Sequence, residues 1–334
     1  AFEAPRDGAV SQCDLILDLT GGAPMFPGQD RRDGYFRPDP SDPAAIQRAL
    51  FELSDLVGEF SKPRYVTFDA NICAHSRSAK IGCSRCLDAC PISAITPNGD
   101  AVAIDPYICG GCGACNSVCP TGAANYAFPP ADALHERLRA LLRGYAKAGG
   151  TEPVLLIHDS EHGAGLLDMI ARYGRGLAAN VLPFPVNEAT QVGLDLLLTA
   201  LAHGAVRIVI AAPPSRQGEF DGLAQQFGII EAVTSGLGHG GGRLELAIED
   251  DPDALDSILR RAVDASAVKP KYFATAGTKR ERLSLALAAL HDDAPTPVDQ
   301  VALPTGAPFG AVEVDTDGCT LCLACVGACP TGAL

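Results

Sequence analysis

Residues 109–120 read CGGCGACNSVCP, and the same spacing, C-x2-C-x2-C-x3-C-P, returns at residues 319–330 as CTLCLACVGACP. A third stretch, FDANICAHSRSAKIGCSRCLDACP at residues 68–91, keeps only the back of the pattern. Cys83, Cys86, Cys90 and Pro91 are in place, but Lys80 stands where the first cysteine belongs. Working outward from each run restores the register, because internal repeats extend beyond their most visible residues. YVTFDANIC (65–73), AVAIDPYIC (101–109) and AVEVDTDGC (311–319) share Val at the second place, Asp at the fifth and Cys at the ninth. Each reads as a short alternating strand feeding a loop. The register assigns the first position to Cys73, with nine residues before Cys83 where the other runs have two. Loop-closure entropy grows only with the logarithm of length, so such an insertion costs roughly 1–2 kcal/mol.

Twelve of the thirteen cysteines lie in these three runs. Disulfide scaffolds are short secreted chains, and AFEAPRDGAV at residues 1–10 has neither a charged n-region nor an apolar h-region. Metal ligation in a reducing cytoplasm is therefore expected. Two-residue spacing lets one tight turn present three thiolates to three corners of an iron-sulfur cube. Over residues 63–128, and in half over 309–334, the pattern resembles the bacterial two-4Fe-4S ferredoxin module. The resemblance implies one cluster on Cys73, Cys83, Cys86 and Cys119 and a second on Cys90, Cys109, Cys112 and Cys115, each fourth cysteine crossing to its neighbour's cube. Zinc is the competing metal, but zinc sites are built from two C-x2-C pairs rather than triplets followed by Cys-Pro. A 3Fe-4S centre is the alternative at the first site if Cys73 does not reach it.

The third run, Cys319, Cys322, Cys325 and Cys329 with Pro330, would hold a third 4Fe-4S cluster on its first three thiols if a fourth ligand is supplied. Three explanations stand: a longer chain carrying a partner run, a ligand borrowed from Cys13, or closure by Cys329 itself. The first is preferred, since Cys329 in the ferredoxin geometry faces a neighbouring cluster. Cys13 reads as a small buried hydrophobe on the strand CDLILDL, residues 13–19.

The sequence as a whole is that of a globular, multidomain protein mixing α/β and α+β units, 47% hydrophobic with a formal charge of −14. That charge argues against a nucleic-acid partner, which needs clustered Lys and Arg. The longest apolar stretch, from Val192 to Pro213, is broken by Asp195, His203 and Arg207 and is too polar for a membrane span. Residues 1–62 hold the strand, a loop rich in Pro, Gly and Asp, and an amphipathic helix over residues 44–60. Ala1 in place of Met suggests processing or a fragment. Within 63–128, Asn98-Gly99 between apolar residues signals a hairpin. A helical linker over 129–150 ends at a glycine pair.

From residue 151 to 265 the periodicity turns to a βα rhythm. Strands are expected at 154–159, 179–186, 205–213 and 244–250, with helices between, which predicts a doubly wound, flavodoxin-like parallel sheet. Residues 266–308 connect this domain, through one helix at 277–291, to the half ferredoxin motif at 309–334. The order strand, helix, LPFPVNEA, helix, HGAVRIVIAAP is similar to the delta subunit of methyl-viologen-reducing hydrogenase. That family holds a 2Fe-2S cluster on cysteines at strand ends, and residues 120–318 here contain no cysteine. At the carboxyl ends of the strands, where doubly wound sheets bind ligands, HDSEHGAG (158–165) is a weak anion-site motif. GLGHGGG (236–242) reads as a plain loop, and His158 and His162 read as polar loop residues. His75, Arg77 and Lys80 put positive charge in the first-run insertion, either beside a cluster or on a solvated loop.

The expected function is a cytoplasmic polyferredoxin subunit that passes single electrons between clusters. Its expected partner is a redox complex such as a hydrogenase, heterodisulfide reductase or formate dehydrogenase. The rival expectation is an oxidoreductase whose α/β domain binds flavin or a nucleotide.

Overall fold

The structure, a computed structural model, describes residues 13–26, 28, 31–77, 80–262, 268–310 and 312–329. Pro330 of the third motif, residues 1–10 and Val263 at the end of an expected helix lie outside the described residues.

At the amino-terminal side, the strand expected at 13–19 reduces to β1 (Ile16–Leu17), paired in parallel with β2 (Tyr35–Phe36). Cys13 is exposed, which corrects its reading as a buried hydrophobe. Helix α1 (Pro43–Asp55) starts at Pro43 with the Asp42 carboxylate accepting from the N–H groups of Ala44 and Ala45. It stops five residues short of the expected end at residue 60 and buries only Ala49.

The next unit shows why a repeat of this kind needs two copies. Its elements are β3 (Val66–Phe68), a small ribbon of β4 (Ser76–Arg77) and β5 (Lys80–Ile81), α2 (Arg85–Asp88), β6 (Ile95–Asn98), β7 (Ala101–Ile104), α3 (Ala114–Val118) and β8 (Ala124–Tyr126). The first strand of one repeat pairs with the last strand of the other: β3 runs antiparallel to β8, and β7 to β6. The hairpin between β6 and β7 turns on Gly99 and Asp100, with Gly99 at φ +62°, one residue later than the Asn98-Gly99 reading. In the third repeat the expected strand is not formed over the described residues 312–318. A strand needs a ladder partner for its N–H and C=O groups, and a single half-repeat offers none.

The larger domain comprises α4 (Ala131–Lys147), β9 (Val154–His158), α5 (His162–Tyr173), β10 (Val181–Pro185), α6 (Leu194–Ala202), β11 (Arg207–Ala212), α7 (Asp221–Gly236), β12 (Leu244–Ile248), α8 (Pro252–Leu259) and α9 (Lys279–Asp292). Its four strands are all parallel, in the order β10-β9-β11-β12. Side chains alternate across the strands. Leu155, Ile157, Ile208 and Ile210 face one apolar layer with α4, α6, α7 and α9, while Leu156, Val209 and Ala211 face the other with α5 and α8. Covering on both faces explains why β9 and β11 read as unbroken apolar runs.

Two expected connectors are core elements. Leu134, Leu138 and Leu142 of α4 enter the larger apolar layer, and so do Leu283, Ala286, Ala289 and Leu290 of α9. The GLGHGGG segment is packed rather than loose. His239 is buried with its Nε2 donating to the Leu290 carbonyl at 2.9 Å, and a Cβ at Gly238 would meet Thr296 at 2.8 Å. The last helix, α10 (Ala324–Ala328), buries no residue.

Candidate metal centre

The nine-residue loop does not hold Cys73 away from Cys83. The β4–β5 ribbon folds it back, the N–H groups of Gly82 and Cys83 donate to the His75 carbonyl, and the His75 Nδ1 donates to the Cys83 carbonyl at 2.8 Å. His75 is therefore a buried clasp of the insertion, not part of a solvated loop, while Lys80 is exposed. As a result Cys73, Cys83, Cys86 and Cys119 line one pocket, walled on its apolar side by Phe68, Ala123 and Ala124. Cys73, named from the register, thus lies with the three other thiols that the ferredoxin resemblance implies, Cys119 arriving from the end of α3.

The other four also gather. Burial first, then the neighbouring Cys112, Cys109 and Cys90, raise the Cys115 thiol well above its ordinary value. Backbone N–H groups are aimed at the sulfurs: Ala94 donates to the Cys90 Sγ at 3.2 Å, Gly111 supports Cys109, and Ala114 supports Cys112. Burial pushes Cys112 up to about 11. Cys86 is pushed up to about 12, by burial and then by Cys119, Cys83 and Cys73. Cys119 goes the other way. Burial is its largest influence and raises it, but the Ala124 N–H, the Lys279 ammonium and Thr121 together hold it below the usual thiol range.

Such crowding of buried thiols is a poor place for thiolates unless a cation compensates them. Iron-sulfur clusters are held by four cysteines with N–H groups on sulfur, and the donor set fits that group. Among the described residues no group of His, Cys, Asp and Glu converges so as to hold a single metal ion. The third run differs: Cys319, Cys322 and Cys325 are exposed and Cys329 is half-buried. Cys13, offered as a lender, is exposed at the other end of the chain.

Residues with no motif complete the site. Gly113 opens α3 at φ +77°, and a Cβ there would lie 2.5 Å from the Gln191 side chain, so the cysteine helix seats directly on the larger domain. The Asn116 amide donates to the Gln191 carbonyl at 2.9 Å, and Thr190 Oγ1 to the Cys112 carbonyl at 2.6 Å. The Lys279 Nζ donates to the Asn116 and Ser117 carbonyls at 2.5 and 3.1 Å, satisfying the open end of α3. Arg31 holds Glu188 through both terminal nitrogens at 2.9 and 3.0 Å, and its Nε donates to Glu219 at 2.7 Å. In sequence, Lys279 marks only a helix start (Thr278 to Glu281 form a capping box) and Arg31 sits in a loop, so neither carried a signal.

The anion site considered at HDSEHGAG is filled from within. The Asp159 carboxylate accepts from the N–H groups of Glu161 and Gly163 at 3.1 and 2.8 Å. His158 is buried with its ring on the Asp159 carbonyl, and His162 opens α5 with its ring on the Glu249 carbonyl, so neither is a loose loop residue.

Comparison with known proteins converges on this region. Residues 81–123 match the 4Fe-4S dicluster domain and residues 312–334 the 4Fe-4S binding domain. An uncharacterized ferredoxin of Methanocaldococcus jannaschii is 37% identical over 59 residues, 17% of this chain and 87% of that protein. A 7Fe ferredoxin of Hydrogenibacillus schlegelii is 45% identical over 38 residues, 11% of this chain, which thus spans about half (49%) of that protein's length. No solved structure matches the chain. No helix among the described residues is long and apolar enough to cross a membrane.

Proposed function

The chain belongs to the 4Fe-4S ferredoxins through its dicluster domain, and from that premise we propose that it is a polyferredoxin subunit passing single electrons through 4Fe-4S clusters within a larger redox complex. Bound clusters supply the one-electron chemistry. The chain's own residues supply thiolates, an apolar wall and N–H groups on sulfur. In this reading Cys73, Cys83, Cys86 and Cys119 hold one cluster, Cys90, Cys109, Cys112 and Cys115 the other, and residues 63–128 form the unit that carries both. Cys319, Cys322 and Cys325 hold a third once a fourth ligand is supplied. The single observation that supports the reading most is the shared pocket of Cys73, Cys83, Cys86 and Cys119.

The strand order β10-β9-β11-β12 supports a flavodoxin-like topology for residues 151–265, and with it the kinship to the hydrogenase delta subunit. A cytoplasmic hydrogenase, heterodisulfide reductase or formate dehydrogenase complex is the corresponding partner. The Asp159 carboxylate at the start of α5 weighs against a phosphate-bearing cofactor there.

Iron and acid-labile sulfide measured on anaerobically prepared protein test the proposal, with about eight of each expected per chain from the two complete sites. Zinc without sulfide would end it. Cys73→Ala should lower iron by about one per chain, leaving a three-iron centre of the kind that a seven-iron ferredoxin's name denotes. Unchanged iron would remove Cys73 from the ligand set.

A further inference from the structure

The two thiol sets sit in unequal electrostatic surroundings, and the inequality is imposed by the larger domain. One cleft of about 900 Å³ between α3, α7 and α9 is lined by Cys119 and Pro120 from the first set's side. Its charged lining residues are Lys279 and Arg85, with no carboxylate among the described residues that line it. The pocket of the first set is lined by the same Arg85 and, among the described residues, by no carboxylate. The acid nearest Lys279 is Asp195, at 3.8 Å, and it is shared with His135 at 3.4 Å and Arg282 at 3.5 Å. Burial keeps His135 below its ordinary value and Arg282 is also held by Asp132 at 2.6 Å, so Asp195 offsets part of the Lys279 charge, while the ammonium still acts on the Cys119 thiol.

The second set faces the opposite balance. The cleft beside Cys90 and Pro91 is lined by Asp88, Glu219 and Asp221, against Arg85 alone, which both clefts share. Arg31, the cation beside Cys112, and Arg216 are balanced by Glu188 and Glu219, so that group, Glu219 included, adds no net charge and, among the described residues, the cleft's unpaired acids are Asp88 and Asp221. Lys62, beside Cys109, is paired with Asp33 at 2.6 Å, and Asp105 adds a negative charge near the same thiol. Reducing a cluster adds one negative charge, so nearby cations raise its potential and nearby carboxylates lower it.

Resting on the ligand sets proposed above, we infer that the cluster of Cys73, Cys83, Cys86 and Cys119 holds the higher potential of the two, and that Lys279 of the larger domain sets much of the gap. With both clusters bound, one electron would pass from the reduced cluster of Cys90, Cys109, Cys112 and Cys115 to its neighbour, with no proton or bond exchanged, and would rest on the side of Cys119. There Arg85 donates to the Gly306 carbonyl, on the segment that leads to the third cysteine run. Lys279 is buried, so salt screens its effect little.

Redox titration followed by electron paramagnetic resonance tests the inference on the full chain. Two reduction waves are expected, with Cys73→Ser altering the spectrum of the higher one. Lys279→Gln should move that wave to a more negative potential and leave the lower wave in place, at low and at high salt. Lys279→Arg should restore it. Should Lys279→Gln fold poorly through loss of its bonds to Asn116 and Ser117, the order of the two waves in the unsubstituted chain, assigned through Cys73→Ser, still decides the inference. A single shared potential, a Cys73-linked wave that is the lower of the two, or equal shifts of both waves would each overturn the inference. Absence of any reducible cluster would instead overturn the proposed function.

Discussion

Among single residues, His203 shows what burial does to an ionisable group that takes no part in the metal centre. It closes α6, only 1% exposed, with its ring 4.7 Å from that of Phe273 and 5.3 Å from that of Tyr272. Its Nδ1 donates to the Lys271 carbonyl at 2.8 Å, while its Nε2 is buried without a partner. Burial therefore holds the imidazole down at about 4, against about 6.5 in the unfolded chain. Because the unfolded state binds the proton first, the stability tied to neutral His203 is complete above about pH 6.5 and is lost as pH falls toward 4. The loss expected is on the order of 3 kcal/mol. Chemical denaturation across this range should show it, and His203→Asn, which keeps a donor near the Nδ1 position but binds no proton, should flatten the dependence. An unchanged slope would assign the acid sensitivity elsewhere.

For whole elements, periodicity was informative about type and silent about allegiance. The strands of the larger domain were legible to within about two residues because sheets buried on both faces demand continuous apolar runs. The cysteine-bearing unit was legible because motif spacing is a local property of the chain, and the register of Val66 and Asp69 points to Cys73, which lines one pocket with Cys83, Cys86 and Cys119. The role of α4 was not legible. Leu134, Leu138 and Leu142 announce an apolar stripe, but nothing local says which surface covers it, and so the helix read as a linker. The same limit hid Lys279 and Gln191, whose partners lie 75 residues or more away in sequence. If α4 belongs to the core, Leu138→Ala should cost about 2–5 kcal/mol in the unfolding of the larger domain. A true linker helix would tolerate it at almost no cost, and equilibrium denaturation followed at a probe on β11 separates the two.

At the scale of the whole molecule, two bodies of unequal self-sufficiency lean on each other. The larger domain carries two extensive apolar layers around its sheet. The cysteine-bearing unit has a small core in which Val66, Ile95, Val102, Ala124 and Tyr126 pack among the thiols themselves. A unit of that size needs a staple, and metal binding becomes folding free energy when the site does not exist in the unfolded chain. The contact between the bodies runs through Gly113 against Gln191, Thr190 to Cys112, and Arg31 with Glu188 and Glu219, all anchored close to the ligands. Stripping iron by oxidation and chelation should therefore act locally first. Amide exchange should rise across residues 63–128 and at the Ala189–Gln191 turn, while β9 and β11, buried along their whole lengths, keep their protection. Heating the stripped protein should then show one transition for the larger domain, where the loaded protein shows an earlier, iron-dependent step as well. If β9 and β11 lose protection together with the cysteine loops, the two bodies form one cooperative unit and the clusters staple the whole chain.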